Sequence, residues 1–490
     1  MNRGRSSAGA AWTAAAIVIA ICLLSTFTLA TPNTRRVLVS APSPGANPTG
    51  GLPTALPTAT GGLPQTPGAQ PSQGPVTRGG KTYDCAKGQN AGPTDEGVTA
   101  TEIRFAATTV ESGPAKDFLK EAKYGMLAVA NKVNRAGGVC GRQIKIEFRD
   151  DGWNPETGQR YIESFIGDHK YFGLAVNPSS EGLRGAIDSG LIRRSGFPVI
   201  GADGMLYDQY EDPWVWPVAT STASVMHIMA ANAYARGART FGIAWETSYR
   251  FGKEGHDAFV GEVKRLGGKV NADAPLASGQ GSYGNQAQTF IGDCGGVNSL
   301  SKCDFIAMLL EPATAQSWVN SGGLGDGSTR PRIGIGVPQP LFIDSFARNC
   351  AKYCSGMWAW TSFKPPLAPY TGDPSVRTYL ADLKGVSRSV DASNPHVEGA
   401  YVGMLLLVDA LTKLGPAPTR AGMKALLDAT TFDAGLGPVL RFAPGNHFAS
   451  VAGQAYQDIT QNDERGSFDN WRYTSSGFIA DRDVGRDVSS

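Results

Sequence analysis

Residues 103–151 read IRFAATTVESGPAKDFLKEAKYGMLAVANKVNRAGGVCGRQIKIEFRDD, and the fold is decided there. Ile103 to Ala107 is an apolar run of strand length. Glu111-Ser112-Gly113-Pro114 breaks it with Gly and Pro. Phe118, Ala122, Met126, Val129 and Val133 then recur every three or four residues, the spacing of one helix face. Ala136-Gly137-Gly138 stops the helix. Ile144, Ile146 and Phe148 alternate with Gln143, Lys145 and Glu147, the period of a strand. Strand, helix, strand implies two parallel strands joined by a right-handed crossover. Ligands of such sheets bind beyond the carboxyl ends of the strands, which here means Ser112-Gly113 and Asp150-Asp151-Gly152-Trp153. The first turn lacks Gly-x-Gly-x-x-Gly, so dinucleotide binding has no support.

Working outward, the alternation continues. Asn154-Pro155 reads as a helix cap and first turn. Tyr171 to Val176 reads as a strand ending at Asn177-Pro178-Ser179-Ser180, and Phe197 to Ile200 as one ending at Gly201-Ala202-Asp203. Trp214 to Val218 is expected to cross over to a second alternating set. That set holds strands at Phe241–Trp245, Phe305–Leu310 and Arg332–Val337, with Gly356–Trp360 crossing back. Helices are expected at Ser375–Lys384, Pro395–Leu414 and Arg420–Ala429, and a strand at Pro438–Phe442.

At 490 residues the chain suits about two domains. A formal net charge of +2 with no basic stripe gives nucleic acid no footing. At the amino terminus Arg3 and Arg5 precede an uncharged run from Ser6 to Pro32. Small residues at Thr28 and Ala30 suit a cleaved signal peptide, while the run is also long enough for an uncleaved anchor. A lipoprotein reading through Cys22 ranks third, since Ile21 is larger than the usual small residue there. All three place the rest outside the cytoplasm, tethered to the membrane or secreted. Ser40 to Gly80, rich in Pro, Gly, Thr and Ala, cannot bury a core. Extended, it would reach roughly 100 Å at about 3.1 Å per residue. Gly79-Gly80-Lys81-Thr82 is no phosphate loop, because residue 75 is Pro and no strand precedes it.

Besides Cys22 there are six cysteines, an even number in an exported domain, which suggests disulfides. Of fifteen possible connectivities, neighbour pairing is expected: Cys85 with Cys140, Cys294 with Cys303, Cys350 with Cys354. These spacings, with five scattered His, make no zinc site, and no cofactor motif is present. Neither Gly-x-Ser-x-Gly nor His-Glu-x-x-His occurs, so a hydrolase is not the expectation.

Several phrases carry a resemblance: Gly97-Val98-Thr99 before Ile103, Ser112-Gly113-Pro114, Asn131 to Arg142, Asp150 to Pro155, and Leu436 to Phe442. In their order the chain resembles type I periplasmic solute-binding proteins, most of all the branched-chain amino acid and amide-binding group of ABC importers. The resemblance implies two Rossmann-like α/β lobes joined by three crossovers, with a ligand cleft between them. Residues 1–32 would be the signal or anchor and 33–84 a linker. Lobe one would be 85–217 plus 364–443, and lobe two 218–363 plus 444–490. It also implies a small-molecule solute, ABC permease partners and no enzymatic activity.

The resemblance maps solute contacts onto Ser112, Gly113, Asn177, Ser179, Ser180, Ala202 and Asp203 in lobe one. Phe251 before Gly252 takes the aromatic slot in lobe two, with Tyr249 beside it. The slot for an acid that holds a ligand ammonium falls near Gln339, which is no acid; Glu311, one strand over, is the substitute. Asp203 departs from the pattern, since a carboxylate there repels a ligand carboxylate. Aromatic residues would equally suit a flat solute. Ser179 and Ser180 could instead simply cap a helix, and Trp153 could close the core between the lobes. The competing function is a membrane-tethered sensory or scaffold module using the same lobes.

Overall fold

The computed structural model describes residues 75–481 except 79, 297, 450, 459–470, 475 and 476. The expected signal or anchor segment and most of the linker lie outside the described residues. A short hairpin, β1 (Val76–Arg78) and β2 (Lys81–Tyr83), opens them. Then follow β3 (Glu102–Thr109), α1 (Lys116–Leu119), α2 (Ala122–Arg135), β4 (Gln143–Asp150), α3 (Pro155–Gly167), β5 (Gly173–Ala175), α4 (Ser180–Asp188), α5 (Leu191–Ser195), β6 (Val199–Ala202), α6 (Asp208–Glu211) and β7 (Val215–Pro217). The strands form one parallel sheet in the order β4-β3-β5-β6-β7, with β3 and β4 paired from Glu102–Gln143 to Thr109–Asp150.

The second set repeats that plan. It runs α7 (Thr222–Ala235), β8 (Thr240–Glu246), α8 (Arg250–Arg265), β9 (Lys269–Leu276), α9 (Gly284–Asp293), β10 (Phe305–Leu309), α10 (Pro312–Asn320), β11 (Gly334–Val337), α11 (Asp344–Cys350) and β12 (Trp358–Thr361). The parallel order is β9-β8-β10-β11-β12, the same winding as the first sheet. The chain then returns to the first sheet with α12 (Pro374–Lys384), α13 (Pro395–Leu414), α14 (Arg420–Leu427) and the two-residue strands β13 (Thr431–Phe432) and β14 (Leu440–Arg441). It ends on the second sheet, where β15 (Ala452–Asp458) pairs antiparallel with β12, β16 (Trp471–Tyr473) and β17 (Ile479–Ala480). Two α/β lobes result, and the chain passes between them three times.

Two expectations need correcting. Trp214–Val218 is not a crossover: Val215–Pro217 is the edge strand of sheet one, and the chain leaves after it. Nor does Gly356–Trp360 cross back, because β12 is a full member of sheet two and the return follows it. Both segments are apolar enough for either role, and only strand pairing separates the two. The three passages are tied together by side chains. Ser362 Oγ accepts from the Thr220 N–H (3.1 Å), and Thr220 Oγ1 donates to the Ala452 carbonyl (2.8 Å). Gln339 Nε2 donates to Ser362 Oγ (3.2 Å).

Local chemistry explains the helix starts. Asn154-Pro155, Glu311-Pro312, Asp373-Pro374 and Asn394-Pro395 all place an oxygen-bearing cap before a proline whose missing N–H is not needed. Glycines set the close approaches. α13 lies against β6 because Gly403 and Gly201 meet; a Cβ on Gly403 would sit 2.3 Å from the Gly201 carbonyl oxygen. The disulfides pair chain neighbours: Cys85–Cys140, Cys294–Cys303 and Cys350–Cys354.

The packing gives a paired expectation. Gly403→Ala destabilises the protein by about 1–3 kcal/mol through overpacking. Gly261→Ala, in an exposed part of α8 with nothing within 4 Å, stabilises it by up to about 1 kcal/mol. Denaturant unfolding of both variants checks the contrast.

Candidate functional site

The carboxyl ends of both sheets face one another, and side chains fill the seam between them. Trp153 follows β4 with a positive φ of 64°. Asp151 holds the turn by accepting the Trp153 backbone N–H (2.8 Å). This aims the indole out of lobe one and into lobe two, where it is 1% exposed. Its ring centroid lies 4.4 Å from Tyr249, in the loop after β8, and 5.4 Å from Phe251, in the first turn of α8, and Phe118 meets it edge-on at 5.5 Å. Its Nε1–H donates to Ser180 Oγ (3.1 Å). With Phe118, Leu119, Met205 and Leu206, Trp153 belongs to the same apolar cluster as the core of lobe two.

Beside the aromatic contact lies a charged one. Arg250 opens α8 in lobe two and reaches Asp188 (2.6 Å) and Asp208 (2.9 Å) in lobe one. Its backbone N–H donates to Glu181 (2.7 Å), and Glu254 accepts the Tyr207 N–H (2.9 Å). Burial raises the carboxyls of Asp208 to about 7 and Glu254 to about 8, although Arg250 pulls both the other way.

At the hinge end of the seam is a void of about 10 Å³. Asp203, Met205 and His396 line it from lobe one, Gln339 and Val225 from lobe two, and Thr220 from the passage between them. Asp203 is partly exposed as a residue, yet its Oδ2 is shut off from solvent and has no hydrogen-bond partner. Its Oδ1 accepts the Met205 N–H (3.2 Å), and burial pushes the carboxyl up to about 7. His396 Nε2 is likewise buried without a partner, and burial depresses the imidazole to about 3. Where the seam opens to solvent, a cavity of about 480 Å³ lies between Asp117 and Asp391 of lobe one and Asp344 and Arg348 of lobe two.

The remaining candidates divide. Ser112 and Gly113 are exposed on the outer rim. Asn177 is turned inward, its Oδ1 accepting the Thr108 N–H (2.7 Å). Ser179 caps α4 and donates to Asp151 (2.7 Å), and Ser180 is engaged by Trp153. Ala202 is buried at the end of β6. Glu311 caps α10 through the Ala313 and Thr314 N–H groups and accepts from Ser278 (3.3 Å). Next to it Glu246 is fully buried, with Oε1 accepting the Ser248 N–H (3.0 Å) and Oε2 unpartnered. Burial and the Glu311 charge raise it to about 7. Sequence reading missed Glu246, His396, Met205 and the Arg250 latch. The only available signal was Arg250 standing beside the aromatic slot.

A comparison with curated proteins finds no match. The sequence matches the family described as periplasmic binding protein over residues 102–458. Among solved structures, a possible leucine/isoleucine/valine-binding protein from Rhodopirellula baltica SH 1 superposes with a TM-score of 0.64 at 17% identity. It covers 79% of this chain and 98% of its own. A solute-binding protein of an ABC transporter from R. palustris, in complex with 4-hydroxybenzoate, gives 0.62 at 16%, covering 78% and 97%. A branched-chain amino acid transporter substrate-binding protein from Streptococcus pneumoniae str. Canada MDR_19A, in complex with isoleucine, gives 0.63 at 14%, covering 78% and 100%. At these identities the likeness is one of fold.

The buried acids set a pH dependence. Asp391 near 6, Asp151, Asp203, Asp208 and Glu246 near 7 and Glu254 near 8 hold their protons to higher pH in the folded chain. In the unfolded chain they ionise at about 4. Their stabilisation is full below that value and is lost as pH rises toward 7 or 8. His396, lowered to about 3, works oppositely until its unfolded value of about 6.5, but it is one group against these six. The thermal midpoint therefore falls between pH 5 and 7.5. A midpoint that rises over that range contradicts the burial of these groups.

Proposed function

The chain belongs to the periplasmic binding protein family, and we propose that it is an extracytoplasmic solute receptor of an ABC-type importer, closing its two lobes around one small solute. An extracytoplasmic location goes with that family. The observation that carries the reading is the seam itself: strand ends from both sheets meet there, and three chain passages join the lobes on one side. Such a joint suits hinge closure. Residues 85–217 with 364–443 and 218–363 with 444–490 are the proposed moving bodies. The proposed contacts are Ser112 and Gly113 at the rim, Ser179, Ser180, Ala202 and Asp203 on lobe one, and Tyr249, Phe251, Glu311 and Gln339 on lobe two. Asn177 supports them from within lobe one. The amino-terminal segment and its linker are proposed to tether the receptor, with ABC permease subunits as partners. Among the described residues no helix is long and apolar enough to cross a membrane.

A second reading draws on the tightness of the seam. With only about 10 Å³ left at the hinge end, the lobes already meet on their own side chains. This favours a membrane-tethered sensory or scaffold module, not coupled to import, that uses the same lobes to bind a protein. Two measurements separate the readings. In a thermal-shift and tryptophan-fluorescence screen against amino acids, amides and aromatic acids, an importer's receptor responds saturably to at least one class. In small-angle scattering, its free form is more extended than its solute-bound form. A monomer that is silent in the screen and unchanged in scattering supports the scaffold.

A further inference from the structure

Three carboxylates at the strand ends, Asp203, Glu246 and Glu311, have no ion-pair partner among the described residues. This sets them apart from Glu181 and Asp208, which salt-bridge to Arg184 and Arg250 respectively. Glu311 has a structural task, since its oxygens cap α10. Asp203 and Glu246 do not: each has one oxygen in use and the other buried and unpartnered. Leaving a buried carboxylate oxygen unserved is costly, because its lost hydration is not replaced. Asp203 and His396 both line the void at the hinge end, and His396 Nε2 is a second buried atom without a partner among the described residues. Gln339 also lines the void, and its amide N–H groups donate to Thr220 and Ser362.

Among the described residues no lysine or arginine lines the void, so no cationic side chain there would hold a solute carboxylate. The hydroxyls of Ser179 and Ser180 are already engaged by Asp151 and Trp153. What the place lacks among the described residues is a cationic group: Thr220 and Thr222 bring hydroxyls and Gln209 an amide toward Asp203, but no positive charge does. At about 10 Å³ the space takes one group of water size, and an ammonium head is that size.

We propose that the solute carries a protonated amine, and that its head seats between Asp203 and His396 at the hinge end of the cleft. The ammonium would donate to Asp203 Oδ2 and to the lone pair of the neutral His396 ring, giving both idle atoms a partner. It would also supply the positive charge that none of the described residues brings to Asp203. The rest of the solute would run along the seam toward Trp153, Tyr249 and Phe251. Glu246, at the lobe-two end of that path, is placed to meet a second donor. The assignment rests on the solute-receptor reading above.

Its test is a fluorescence titration of the full chain with an α,ω-alkyldiamine, lysine, isoleucine, benzoate and 4-hydroxybenzoate. The expected result is saturable binding of an amine, with the diamine or lysine at least tenfold tighter than either benzoate. Asp203→Asn should weaken amine binding at least tenfold while its thermal midpoint stays at or above that of the parent, since an amide cannot ionise in that buried place. Glu246→Gln should weaken the diamine more than it weakens isoleucine. If a benzoate binds tightest, or if Asp203→Asn leaves amine affinity intact, the assignment is wrong and the receptor reading survives. If no solute of any charge binds, both fall together.

Discussion

A single indole joins the two lobes. Trp153 grows from lobe one, but its ring is packed among residues of lobe two, so the apolar core of the second lobe has one of its largest members supplied by the first. Burying such a ring between two aromatics is worth several kcal/mol by area, at roughly 25 cal/mol per Å² over some 150–250 Å². The aim of the ring depends on a turn that only a positive φ allows, held by Asp151 and by the contact of Gly113 with Gly152. Asp151 is itself fixed by Ser179. Much of what sequence alone would assign to a ligand thus works as the mounting of Trp153.

Around that ring the seam carries charge in two styles. On the outer side Arg250 answers Asp188 and Asp208 while its N–H serves Glu181, so each carboxylate gains an ion pair or a charge-assisted hydrogen bond. Burial still dominates, because desolvating a carboxylate outweighs one partly exposed arginine. On the inner side Asp203 and Glu246 are buried with no ion pair among the described residues, each accepting a backbone N–H instead. One style closes the lobes by itself, whereas the other leaves charge that closure without a guest can only neutralise by protonation.

The fold was legible because its signals are local. The run from Ile103 to Asp151, the alternation after it and the proline-marked helix starts each depend on neighbours in the chain. The helix Pro395–Leu414 was read to the residue. What failed were segments whose identity depends on distant partners. Trp214–Val218 and Gly356–Trp360 are apolar and short, and nothing in their own composition says whether they pair in a sheet or leave it. The site was legible in its loops and obscure in its assignments. Phe251 and Asp203 stand at the strand ends where parallel-sheet topology puts them, but that Ser180 serves an indole follows only from where Trp153 points. His396 was invisible because it comes from a helix some 190 residues later in the chain than Asp203.

The seam also sets terms for any guest. A solute entering between the lobes must first part Trp153 from Tyr249 and Phe251 and release Arg250 from Asp188 and Asp208. If those contacts favour the shut form by about 3 kcal/mol, the open form is about one molecule in 150, and apparent affinity falls by the same factor. A solute that merely fits would not repay that penalty. One that brings aromatic or aliphatic surface for Trp153 replaces the lost stacking, and one that brings a positive charge removes a desolvation strain that the shut, empty form retains at Asp203. The same geometry that excludes weak solutes therefore favours those that complement both halves of the seam, and selectivity follows from the work of opening rather than from the shape of a preformed cavity.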